Sequence, residues 1–172
     1  MKKLMTMLLL LCGAVAAQAS TEGYVMLTVF SPGQIPVATT SVNGLRMNVL
    51  YGECQNLNGL DVGLVGRVRE RVNGLQVAAW SSVGTDLAGV QVGLVNAVES
   101  DFAGAQVALW NDVDGNGIGF QAGVCNTAAS FEGLQLGIVN YAGTLDGLQV
   151  GLLNFIENNS ACFCLPIVNF CW

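Results

Sequence analysis

The residue pattern with the clearest chemical meaning is the segment Asp112-Val113-Asp114-Gly115-Asn116-Gly117. It places oxygen ligands at alternate positions and a glycine at the sharp turn, as calcium-binding loops do. The twelfth position of such a loop carries a bidentate glutamate, whereas here it is Gly123. Asp112, Asp114 and Asn116 are therefore a candidate calcium site, but an ordinary turn without a bound metal is the preferred interpretation.

Two further clusters have alternative interpretations. Arg67, Arg69 and Arg71 surround Glu70 and would form either an anion-binding patch or, as we prefer, a solvated turn. Trp80 and Trp110 lie thirty residues apart and would form either a platform for stacking sugars or, as we prefer, part of the core.

Catalytic side chains are scarce. The chain has no histidine, and its two lysines are Lys2 and Lys3. The usual general base and the Schiff-base nucleophile are therefore missing from the rest of the chain. Glu99 and Asp101 form a carboxylate pair, but they lie in a loop of a repeat. We predict a protein that is not an enzyme, with no catalytic residues and no cofactor.

The N-terminus predicts export. Lys2-Lys3 precedes the apolar run Leu8 to Leu11 and then Ala17-Gln18-Ala19, a pattern typical of a secretory signal peptide cleaved before Ser20. No later apolar run reaches about 18 residues, so we expect no transmembrane helix. After cleavage four arginines face twelve acidic residues, a net charge of −8, which disfavours nucleic acid as a partner.

Five cysteines remain after cleavage, an odd number that leaves at least one thiol unpaired or shared with another chain. Cys162 and Cys164 have the spacing of metal ligands, but no second pair or histidine completes a zinc site. A disulfide near the C-terminus stays open as an alternative. The pairing is undetermined among these five residues: Cys54, Cys125, Cys162, Cys164 and Cys171.

A tandem repeat organises these candidate sites. Each copy begins with a glycine, which we number position 0, and the spacing is fifteen residues five times and then fourteen twice. The leading glycines are Gly44, Gly59, Gly74, Gly89, Gly104, Gly119, Gly133 and Gly147. Positions 1 and 3 are apolar, position 2 is glutamine in six copies, and position 7 is asparagine in five. This alternation predicts a strand with positions 1, 3 and 5 in the core, glutamine outside and a corner at the asparagine.

A copy this short cannot bury its own apolar face, so copies must stack. We predict an all-β fold, a β-solenoid of about eight rungs of 14–15 residues, with each amide bonded to the next rung. The alternative is an up-and-down β-barrel of the outer membrane, with apolar columns facing lipid and glutamines facing inward. Even repeat spacing favours the solenoid, because barrels alternate short turns with longer loops.

The domain boundaries follow from the repeat. Residues 1–19 are the signal peptide, 20–43 an N-terminal cap of strand and loop, and 44–161 the repeat domain. Residues 162–172 fit a degenerate ninth rung that caps the solenoid, with Pro166 at its edge and with Phe170 and Trp172 folded over the open end.

The unit Gly-Leu-Gln-Val-Gly-Leu-Leu-Asn at 147–154 and its siblings resemble the bacterial surface-repeat proteins first noted in spirochaetes. The resemblance covers most of the chain after the signal peptide and departs from the family pattern near Asp114 and at the C-terminal cysteines. It implies an exported protein at the bacterial cell surface, in the outer membrane or outside the cell, of undefined function. Our hypothesis is a structural or interaction module with an unknown protein or glycan partner. An outer-membrane barrel and an adhesin are the alternatives.

Overall fold

A computed structural model of the chain describes residues 22–30, 33–35, 38–159 and 163–172. The predicted signal peptide, its cleavage site before Ser20, Pro36 and Cys162 lie outside the described residues. The described chain forms one sheet of eleven strands and contains no helix. The strands are β1 Glu22–Phe30, β2 Gly33–Ile35, β3 Ser41–Cys54, β4 Leu57–Val68, β5 Val72–Val83, β6 Leu87–Val98, β7 Phe102–Val107, β8 Trp110–Ala122, β9 Cys125–Leu136, β10 Val139–Ile156 and β11 Cys164–Cys171.

Successive strands from β3 to β10 pair in parallel, which confirms the predicted β-solenoid. Each leading glycine lies opposite the leading glycine of the next rung, from Gly44 through to Gly147. The barrel alternative is wrong, because an up-and-down barrel pairs neighbouring strands antiparallel and closes on itself. This sheet instead has edge strands, β2 and β11.

The change from fifteen to fourteen residues is absorbed at a turn. Val113 pairs with Ala128 and Asn116 pairs with Ser130, so two residues in one rung lie beside a single residue in the next. The glycine, glutamine and asparagine columns consequently stay aligned. The first rung contains another irregularity, which places Tyr51, and not Leu50 as the sequence suggested, opposite Val65 at position 6.

Both ends of the solenoid are capped by antiparallel strands. At the N-terminal end β1 adds a parallel rung beside β3, and β2 pairs antiparallel with β1. At the C-terminal end β11 covers β10, as predicted for a cap, but it runs antiparallel and is not a ninth rung. The chain reverses after Ile156 and does not complete another circuit. Phe170 and Trp172 do not fold over the open end, since they are 56% and 86% exposed.

The prediction of which strand face points into the core is wrong. The glutamines at position 2 and the asparagines at position 7 are fully buried, whereas Ile138 at position 5 is 48% exposed. The aliphatic core consists of two other columns, position 9 and the residue two before each leading glycine, represented by Val68 and Leu57. The interior therefore has an amide half and an aliphatic half.

The leading glycines are required by the stacking. Gly104 has φ +139°, and a Cβ there would lie 1.9 Å from the Gly89 carbonyl oxygen of the preceding rung. Both conditions exclude a side chain. The repeated glycine thus marks close backbone approach between rungs.

Candidate functional site

Two ladders of side-chain amides run through the amide half of the interior. In the first, each glutamine donates its Nε2 to Oε1 of the glutamine one rung earlier, for example Gln106 to Gln91 at 2.8 Å. The same pattern continues through Gln121, Gln135 and Gln149. In the second, each asparagine donates Nδ2 to Oδ1 of the asparagine one rung later, as Asn111 does to Asn126 at 2.8 Å. The ladders of bonds were predicted, and they run in opposite directions along the axis.

A buried ion pair terminates the glutamine ladder. Asp61 occupies position 2 of its rung and accepts from Gln76 Nε2 at 2.9 Å and from Arg46 Nε at 2.9 Å. Asn48 Nδ2 and Arg46 Nη2 complete four donors to the carboxylate. Burial lowers the pKa of the Arg46 guanidinium, but the hydrogen bond and charge of Asp61 outweigh burial and raise the pKa overall.

Glycines leave room for this ion pair. A Cβ at Gly66 would lie 2.6 Å from Asp61 Oδ2 and 3.1 Å from Arg46 Nη2. A Cβ at Gly52 would overlap the Asn48 amide. Gly52 pairs with Gly66, which is at position 7 of the second rung. The third rung has Ser81 in this column, and asparagine occupies it from Asn96 onward.

The outer surface divides into two edges. We call positions 1, 3, 5 and 6 of the rungs, residues 45 to 153, the apolar edge. Every one of these positions that the structure describes is apolar or aromatic, and none is charged. Position 5 is the most exposed column, with Leu94 at 53%, Leu109 at 57% and Leu152 at 66%.

We call the outward residues from position 8 to the residue before the next leading glycine the polar edge. Apart from the buried pair Arg46 and Asp61, every described charged residue from Glu53 onward lies there. The predicted arginine cluster lies on this edge as a solvated turn. Arg69 pairs with Glu53 at 2.7 Å and Arg71 with Asp86 at 2.9 Å, and the Arg69 hydrogen bond lowers the pKa of Glu53.

The tryptophans do not belong to the core, contrary to the preferred sequence interpretation. Trp80 is 54% exposed and Trp110 52% exposed. Both lie at position 6, on the margin of the apolar edge that borders position 8 of the polar edge. They occupy the same column two rungs apart, with Val95 between them.

Two of the three calcium candidates are hydrogen-bonded to different neighbouring rungs. Asp112 accepts a hydrogen bond from the Thr127 hydroxyl of the next rung. Asn116 donates from Nδ2 to Asp101 Oδ1 at 3.0 Å in the preceding rung, and Asp114 is exposed. All three lie in or beside an irregularity of β8. The described residues hold no group of three or more His, Cys, Asp or Glu placed to bind a metal ion.

Four cysteines within the described ranges are free thiols. Cys54 is buried in the core beside Arg46, whose Nη1 lies 2.8 Å from its sulfur, and burial raises the pKa of the thiol to about 11. Cys125 lies half-buried at position 6 of the apolar edge. Cys164 is exposed and Cys171 half-buried, both on the terminal strand.

These features define a class: a parallel β-solenoid with antiparallel amide ladders inside and a surface divided into an apolar and a charged edge. A comparison with family models, curated proteins and solved structures finds no match for this chain. Within the described ranges no helix is long and apolar enough to cross a membrane.

The preferred solenoid prediction missed the apolar edge, whereas the barrel alternative had the same columns facing outward. A further signal for this orientation was present in the sequence. Glu132 and Asp146 stand immediately before leading glycines, at odd positions relative to them. In an alternating strand they share a face with positions 1 and 3. A charged residue there indicates that this face is the outside.

Proposed function

We propose that the chain is an exported structural or interaction module of a bacterial cell surface, attached through its apolar edge and presenting its polar edge to water. The separation of apolar from charged columns on the outer surface carries this proposal. The resemblance to surface-repeat proteins and the signal-like N-terminus support the location. Amide ladders hold the rungs in register, so that both edges continue along the whole column.

The length of the apolar edge argues that a partner covers it. Eight rungs at about 4.8 Å each make an edge roughly 38 Å long. Proteins that remain free in water rarely expose contiguous apolar patches above a few hundred Å², and larger ones mark binding surfaces. The polar edge has the opposite character, because its carboxylates outnumber its arginines and keep it hydrated.

Cell fractionation tests the attachment. The triple variant Leu94→Glu, Leu109→Glu and Val124→Glu places three charges on the apolar edge, at residues that are 53%, 57% and 44% exposed. The matched control, Thr85→Glu, Ala129→Glu and Thr144→Glu, adds the same charge to exposed sites of the polar edge. We expect the parent and the control to stay with the cell envelope and the triple variant to enter the medium. Equal retention of all three would contradict the proposal.

A second candidate function is an adhesin that binds a glycan, favoured by the exposure of Trp80 and Trp110. Two rungs separate them by about 10 Å along the column. Aromatic rings present apolar faces on which sugar rings can stack. Titration of a soluble β-1,4-glucan should give binding that Trp80→Ala with Trp110→Ala abolishes and Trp172→Ala preserves. Absence of binding by the parent would remove this candidate for that glycan class.

A further inference from the structure

We infer that the apolar edge is a lipid-binding surface that inserts into one leaflet of a phospholipid bilayer without spanning it. This inference rests on the proposed function and names the partner of the edge. Four features favour lipid over a second copy of the chain: the convex shape of the edge, its paired backbone, its tryptophan margin and the placement of charge.

The apolar edge is convex because the chain reverses around it. Gln149 at position 2 reaches across the interior to the carbonyl oxygen of Phe155 at position 8, at 3.1 Å. Gln121 makes the equivalent contact with Thr127 at 3.4 Å. Positions 3, 5 and 6 therefore lie on the outside of a bend. Two rigid convex edges touch only along a line, whereas hydrocarbon chains conform to such a surface.

The backbone at this bend meets the main requirement for burial in lipid, which is that polar groups be paired within the protein. Gly123 N donates to Leu136 O at 2.9 Å, and Ile138 N donates to Val124 O at 3.0 Å. The inner asparagines supply further donors, since Asn126 Nδ2 bonds to Leu136 O at 2.9 Å. The same kind of bond joins other successive rungs, as Ala108 N donates to Ala122 O at 3.0 Å and Gly137 N to Val150 O at 3.0 Å.

The margin of the edge matches a lipid–water interface. Trp80 and Trp110 lie between the aliphatic column at position 5 and the polar residues at position 8, such as Ser82 and Asp112. Tryptophan is enriched at membrane interfaces because its ring is apolar and its indole N–H is polar. Insertion of the aliphatic columns would place both rings at headgroup depth.

The placement of charge also indicates which lipid headgroups the apolar edge would meet. The apolar edge has no described charged residue, and the acidic polar edge faces away from it. Attraction to anionic headgroups is therefore not what drives binding. We expect zwitterionic phosphatidylcholine vesicles to be bound at least as well as anionic ones, with little loss of binding in high salt.

Vesicle flotation and tryptophan fluorescence test this inference on the protein as its host exports it. The variant Trp172→Phe leaves Trp80 and Trp110 as the emitting residues. With phosphatidylcholine vesicles we expect co-flotation, a blue shift of emission and quenching by brominated lipid. The triple glutamate variant of the apolar edge should lose all three signals, and the polar-edge control should keep them, with circular dichroism comparing their folds.

Quenching of Trp172→Phe protein requires no folded edge variant, so the inference remains testable if the triple variant fails to fold. Absence of flotation and of quenching would overturn it. A stable dimer that shields both tryptophans from aqueous iodide without lipid would also overturn it, in favour of a second copy as the partner. In either case envelope retention that depends on the apolar edge would leave the proposed function standing.

Discussion

The carboxylate of Asp61 accepts the Nε2 amide of Gln76 at 2.9 Å, and through this bond a ladder of glutamines ends on a buried charge. All the amides of this ladder donate toward the N-terminus, so the carboxylate receives the last donor and Arg46 balances its charge at 2.5 Å. The asparagine ladder donates in the other direction. The two ladders therefore oppose their side-chain dipoles within one interior.

Breaking the ion pair should destabilise the solenoid strongly. Asp61→Asn leaves the guanidinium of Arg46 buried without its counter-charge, at a cost of about 3–5 kcal/mol in the free energy of unfolding. The double variant Arg46→Gln with Asp61→Gln extends the glutamine column without charge and should recover at least half of that loss. Urea denaturation measures both. A double variant no more stable than the single one would contradict this account.

Substitutions within the glutamine ladder should cost more in the middle than at the end. Gln106→Leu leaves Gln91 Oε1 and Gln121 Nε2 without their ladder partners. Because both groups are buried, we expect the free energy of unfolding to fall by about 2–5 kcal/mol. Gln149→Leu removes the donor to Gln135 Oε1 and to Phe155 O, but it also removes an oxygen that has no hydrogen-bond partner within the described residues. We therefore expect a smaller loss, about 1–3 kcal/mol. Thermal unfolding of the two variants compares them, and equal losses would argue against a cooperative ladder.

The leading-glycine column should not tolerate alanine. Gly104→Ala combines a φ of +139° with a Cβ placed 1.9 Å from the Gly89 oxygen, so we expect a loss of at least about 2 kcal/mol. Ala103→Gly, at the exposed neighbouring position, is the matched control and should cost less than about 1 kcal/mol. Chemical denaturation measures both losses. If Gly104→Ala left the free energy of unfolding unchanged, the rungs would have to stack less closely than described.

Gly117 and Phe131 should be energetically coupled. Gly117 occupies an aliphatic core column, and a Cβ there would lie 2.6 Å from Phe131 Cδ2 and 3.6 Å from Phe102 Cδ1. Gly117→Ala should therefore cost about 1–3 kcal/mol by overpacking. Phe131→Leu in the same chain should relieve part of that cost, so a double-mutant cycle should give a favourable coupling energy. Additive losses would show that the ring does not fill the space above the glycine.

Alkaline pH should destabilise the protein through Cys54. Burial raises the pKa of this thiol to about 11 from 9.0, so the folded protein holds the proton more tightly than the unfolded chain. The corresponding stability is complete below pH 9, and up to about 2–3 kcal/mol is lost as the pH rises toward 11. Unfolding curves for the parent should show this slope, and those for Cys54→Ala should show a shallower one. A residual slope remains because burial raises the pKa of Cys125 and the hydrogen bond to Glu157 raises the pKa of Tyr141. The same slope in both proteins would assign it to other groups.

Much of the fold follows from the sequence alone. The leading glycines set the rung length, and the columns at positions 2 and 7 predict stacked amides because identical side chains in register can bond to one another. The spacing also favoured a solenoid over a barrel. These conclusions depend on periodicity, which is a property of the chain itself.

Our preferred sequence interpretation did not identify which face of each strand lies inside, nor the direction of the last strand. Alternation defines two faces but does not orient them, and the usual preference for apolar cores placed Leu134 inside and Gln135 outside. The tertiary structure reverses this, because a ladder satisfies each buried glutamine amide through its neighbouring rungs and so offsets the cost of burial. Only the stacked structure establishes that the apolar columns at positions 1, 3, 5 and 6 face outward, since this outcome depends on bonds between residues fourteen or fifteen apart.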